Sequence, residues 1–212
     1  MVHSDFTLSS IKKDFHLTLV EQVDLFQSSP PRLPSSRLTE TLQENLPLAL
    51  GSNTEKARSE LLIVPILLEL RRQFSQKLSV FSGVSFTVDS SQGLNGNCDF
   101  LITYSTELLL ITAPIITLVE AKKEDLNGGL GQCIAEMIAA QRFNAAEGTP
   151  IEIIYGTVTS GTVWKFLRLE DDRVFIDLTE YYLRDIDKIL GILADGIHRM
   201  TQLIDLALPD RS

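Results

Sequence analysis

The apolar positions change period along the chain, and that change marks out the elements. From Ser10 to Phe26, Ile11, Phe15, Leu19, Val23 and Phe26 recur in steps of three and four, which predicts a helix. Ser28 to Ser36 holds three prolines and four serines and is expected to be an extended connector. A short helix from Arg37 to about Leu46 follows, ending near Pro47. Ser52-Asn53-Thr54-Glu55 has the form of a capping box, so a new helix is expected there, running through Arg71 toward Leu78 with a kink or break at Pro65.

After Gly83 the period becomes two. Strands are expected at Val84 to Val88, Cys98 to Tyr104 and Ile115 to Ala121, with turn material at Ser90 to Asn97. A helix from Asn127 to Asn144 is followed by strands at Ile153 to Val158 and Val163 to Leu169, and a further strand at Val174 to Leu178. The segment Tyr181 to Leu208 carries Ile186, Ile189, Leu190, Leu193, Ile197, Met200 and Ile204, a long amphipathic helix that either closes the core or makes a homodimer contact. The order implies an α/β fold, a mixed central sheet flanked by helices. Residues 1–50 form an N-terminal helical arm and connector, and residues 51–212 form the main domain.

Length and composition fit this picture. A chain of 212 residues suffices for one well-buried core, and 44% hydrophobic with 22% charged residues excludes a mainly disordered chain. No apolar window reaches the roughly 18 residues of a membrane span, and Met1 to Ser10 lacks a signal-peptide layout, so a cytoplasmic protein with no membrane partner is expected. Cys98 and Cys133 read as reduced, buried thiols, and without a CxxC pair no structural zinc site is expected. His3, His16 and His198 are scattered through expected helices and read as surface or packing residues. The net charge of −9 opposes binding of nucleic acid by bulk electrostatics. Any DNA affinity must therefore be local or supplied by a protein partner.

Candidate chemistry gathers at the end of the third strand. Alternation places Leu118, Glu120 and Lys122 on one face, directly after the apolar run Ile115 to Val119 that marks a buried strand. Charges at the end of such a strand are costly unless paired or bound to metal, and on their own Glu120 and Lys122 fit an ion pair as well as a functional site. Asp99 changes the balance. It lies in the preceding strand, and two carboxylates from adjacent strands make an oxygen pocket suited to Mg2+ or Mn2+.

Cys98-Asp99 followed by Leu118-Val119-Glu120-Ala121-Lys122 resembles the PD-(D/E)XK nucleases, although the proline of the family name is missing. Glu55 to Glu60 followed by Pro65 to Arg71 is similar to the opening helix of proteins related to the N-terminal nuclease domain of type I restriction subunits. The resemblance implies a restriction-endonuclease-like fold and hydrolysis of DNA phosphodiesters. Asp99, Glu120 and the Ala121 carbonyl would ligate Mg2+, with Lys122 as the catalytic amine. The family often adds a helical Glu before the sheet and a helical Gln after the Lys. Glu60 is the choice for the first, because it shares a helical stripe with Val64, Leu67, Phe74 and Leu78 while Glu69 lies opposite. Gln132 is the choice for the second. The rival readings are a non-catalytic accessory protein of the same fold and an interaction module that oligomerises through the C-terminal helix.

Overall fold

The computed structural model describes residues 1–207, with side chains described through Gln202. Its centre is the strand that the apolar run implies: β4 (Ile115–Ala121) is buried at every position. β2 (Ser79–Asp89), β3 (Leu94–Thr103) and β4 form an antiparallel meander. α5 (Leu130–Ala146) then crosses over to β5 (Ile153–Thr159), which runs parallel to β4, because a parallel neighbour requires a long connection. β6 (Val163–Glu170), β7 (Arg173–Asp177) and the short β8 (Tyr181–Tyr182) complete an open mixed sheet of eight strands that also takes in β1 (Thr18–Gln22). The order is β1-β7-β6-β5-β4-β3-β2, with β8 on β6.

Helices cover both faces. A Cβ on Gly156 of β5 would lie 2.4 Å from the Met137 sulfur of α5, and a Cβ on Gly196 would lie 3.1 Å from the Tyr155 ring. Neighbouring strand residues point oppositely, so α5 packs on one face and α6 (Ile186–Ala207) on the other. Ile189, Leu190, Leu193, Ile197 and Met200 of α6 are buried in the core of the same chain. Of the helix expected over Tyr181 to Leu208, the first residues instead form β8 and a 3-10 turn. Leu208 and the side chain of Ile204 lie outside the described residues.

The N-terminal segment differs most from its pattern. The helix expected over Ser10 to Phe26 is α1 (Leu8–Asp14), which stops before His16 at φ 54°, a left-handed conformation no helix continues through. The following Thr18-Leu19-Val20 pairs in parallel with β7 as β1, where branched side chains suit an extended chain. A 3-10 turn, His3–Asp5, precedes α1 and lies on α5 so closely that a Cβ on Gly131 would sit 2.3 Å from the Phe6 carbonyl oxygen.

The proline-rich connector is extended, as its composition requires, and is fastened on both sides. Lys188 of α6 donates to the carbonyls of Phe26, Gln27 and Ser29. The buried Glu69 accepts from the Ser35 amide at 3.0 Å and its hydroxyl at 2.9 Å. α2 (Ser36–Ser52) passes through Pro47 rather than ending there, and stops at Asn53 in a left-handed conformation. The next helix starts two residues later than the capping box implies, with Thr54, not Ser52, as its N-cap, accepting from the Ala57 amide. It runs as α3 (Glu55–Arg58), one π-turn (Ser59–Ile63) and α4 (Val64–Gln73). Pro65 explains the π-turn. Its ring nitrogen has no hydrogen for the Leu61 carbonyl, which accepts instead from Asn45 Nδ2 at 2.8 Å.

Candidate functional site

The site forms where β4 leaves the sheet. The ladder pairs Leu101 with Leu118 and Phe100 with Val119, which carries Asp99 to the level of Glu120. Asp99 Oδ2 accepts from the Ala121 amide at 2.8 Å. The Lys122 amide donates to the Thr159 carbonyl at 2.8 Å, so the backbone stays tied to β5 for one residue past the strand.

Glu120 is 1% exposed and points toward α5. Its Oε1 accepts from Lys122 Nζ at 2.5 Å and its Oε2 from Gln132 Nε2 at 2.9 Å. Gln132 also donates to Glu136 Oε1 at 3.1 Å and accepts from Lys122 at 3.4 Å. One amide therefore joins three charged or ionisable groups. Gly129 makes the approach of α5 possible, because a Cβ there would lie 2.8 Å from Val158 and 3.1 Å from the Lys122 side chain.

Asp99, Glu120, Ala121, Lys122 and Gln132 are thus brought together, and Glu60 is not. The Glu60 side chain is 62% exposed and pairs with Lys56 at 3.6 Å. An ideal helix turns it toward the core, but the π-turn that holds Glu60 adds a residue to the helical cycle and rotates it away. Glu55, in the first turn of α3, is exposed and adds only a minor negative charge toward Glu120 and Lys122. Arg58 docks α3 beside the site by donating to the Ser160 carbonyl and the Thr162 hydroxyl.

The local field is negative. Burial, and then the charge of Asp99, push Glu120 up to about 8 against the pull of Lys122. Burial works against the Lys122 ammonium, yet contact with Glu120 outweighs it and keeps the amine charged. Several carboxylates face one contacting ammonium, which is the imbalance a divalent cation neutralises. The neighbouring recess, about 210 Å³, is lined by Glu124, Asp125 and Glu180 as well as Asn127 and Ser160. Lys165 is buried and donates to Asn127 Oδ1 at 3.0 Å.

Three residues with a part in this region went unassigned in the sequence. Glu136 is fully buried beside Gln132, and its Oε2 has no hydrogen-bond partner among the described residues. His3 and Cys98, read from sequence as packing residues, are buried next to it, and the three donor atoms lie within 4.8 Å of one another. Only the packing of the N-terminal turn brings them together. No helix of the described residues is long and apolar enough to cross a membrane. No family model matches the chain, and no curated protein matches it.

Proposed function

We propose that this chain is a divalent-metal-dependent nuclease with a restriction-endonuclease-like core of the PD-(D/E)XK type, acting on DNA phosphodiesters. The observation that carries the reading is the Lys122 ammonium held on Glu120, across the ladder from Asp99, at the end of a buried strand. The β2-β3-β4 meander followed by α5 and a parallel β5 supports it.

The oxygen donors fit Mg2+ or Mn2+: Asp99, Glu120 and the Ala121 carbonyl would hold the ion. An ion held by these residues would supply Lewis-acid polarisation of a phosphate oxygen and a lowered pKa for bound water. Lys122 offsets negative charge that builds on the phosphate, and Gln132 fixes both Lys122 and Glu120 in place.

The acidic recess and the net charge of −9 favour one second reading, an accessory protein of the same fold whose DNA affinity comes from a partner. One experiment separates the two. Cleavage of single-stranded, double-stranded and branched DNA is assayed with Mg2+ or Mn2+, alongside metal binding by calorimetry. Metal-dependent cleavage lost in Lys122→Ala supports the nuclease. Metal binding without cleavage of any substrate supports the accessory protein, and equal binding by wild type and Glu120→Ala rejects the site.

A further inference from the structure

His3, Cys98 and Glu136 come from three separate elements: the N-terminal 3-10 turn, β3 and α5. Each is at most 1% exposed. Neither ring nitrogen of His3 has a hydrogen-bond partner among the described residues, and neither does Glu136 Oε2. Unpaired buried polar atoms are costly, and three elements converging on such atoms need a compensating ligand.

We propose that His3, Cys98 and Glu136 form a zinc site that fastens the N-terminal turn to β3 and α5. Nitrogen, sulfur and oxygen donors together suit Zn2+ and exclude Mg2+, which takes oxygen ligands. The donors lie within 4.8 Å of one another. Zinc–ligand lengths of roughly 2.0–2.3 Å put tetrahedral ligands about 3.5 Å apart, so a short inward movement of three side chains closes the site. On binding, the Cys98 thiol and the Glu136 carboxyl each release a proton to solvent, while His3 binds as the neutral imidazole. Three protein ligands leave a fourth position for water.

The backbone is arranged for this docking. Gly96, at φ 147°, a conformation that favours glycine, lies beside His3, and Gly131 admits the backbone of Phe6, whose carbonyl oxygen a Cβ would meet at 2.3 Å. The site also reaches the acidic centre. Glu136 accepts from Gln132, whose same amide nitrogen donates to Glu120. Zinc that fixes Glu136 as a carboxylate therefore strengthens one of the three hydrogen bonds that orient Gln132.

The test uses the full chain, stripped with a chelator and titrated with Co2+ and then Zn2+. Wild type is expected to bind one Co2+ with a thiolate-to-cobalt charge-transfer band that Zn2+ displaces. The band is lost in Cys98→Ala and in His3→Gln, and kept in Cys133→Ser and Glu120→Gln. Zn2+ also raises the thermal midpoint of wild type and leaves that of His3→Gln unchanged. A wild type without the band overturns the proposal, and so does a band that survives Cys98→Ala. Because the band reports sulfur, and the Asp99 and Glu120 site offers none, failure here is distinct from failure of the nuclease reading.

Discussion

Gln132 on α5 donates to Glu120 on β4 at 2.9 Å, so a helix residue holds a strand carboxylate that alternation alone only aims. Its other amide hydrogen goes to Glu136 and its oxygen faces Lys122. Gln132→Ala is expected to leave the fold intact and weaken Mg2+ or Mn2+ binding by roughly 10–100-fold, the range for losing a group that orients a ligand. Calorimetry on the two proteins reads this directly. Unchanged affinity would mean that Glu120 is held by its burial and Lys122 alone.

Lys122→Met keeps the aliphatic stem that packs against Gly129 and removes the charge. Metal binding is expected to persist while cleavage falls by about 10²–10³-fold, the scale of losing one charge-stabilising group. Loss of both together would identify Lys122 as a structural partner of Glu120 only.

Glu69 is a stability residue. Burial acts to raise its pKa, but hydrogen bonds from Arg72, Gln73 and Ser35 outweigh this and lower it from the ordinary 4.5. A carboxyl with a depressed folded pKa contributes stability above its unfolded value and loses it as pH falls through the folded value. The contribution is therefore complete at neutral pH and disappears below about 4.5. Glu69→Ala is expected to cost about 1–3 kcal/mol, as for leaving the Ser35 amide and hydroxyl without their acceptor. Urea unfolding at pH 7 and pH 3 should show the gap between mutant and wild type narrowing in acid.

Asn45 replaces the hydrogen bond that Pro65 cannot give to Leu61. Asn45→Ala is expected to destabilise the protein by about 1–2 kcal/mol by leaving that carbonyl unpaired. In the background of Pro65→Ala, which restores an amide, the same change should cost less. Equal costs in both backgrounds would dissociate the π-turn from the proline.

Most of the sheet strands are legible because their signal is local, although Leu94 to Asn97, expected as turn material, begin β3. Ile115 to Ala121 is apolar, branched and flanked by turn residues, and it became β4 with the expected bounds. Asp99, Glu120, Lys122 and Gln132 were readable because strand order and one crossover helix suffice to bring them together. Glu60 was misplaced because one extra residue in a π-turn changes which side of the helix faces inward, and the helical period does not reveal that turn. β1 was read as helix because Phe15, Leu19 and Val23 fall at helical spacing, whereas the partner that makes Thr18–Gln22 a strand lies more than 150 residues away. His3, Cys98 and Glu136 gave no signal at all. Their spacing matches no ligand motif, and only tertiary packing joins them.

The most direct test is a crystal of the full chain grown or soaked with Mn2+ and measured at the manganese absorption edge. An anomalous peak shared by the carboxylates of Asp99 and Glu120, next to the Ala121 carbonyl, is the expected result. Well-ordered side chains there with no peak between them would contradict the metal-dependent nuclease reading.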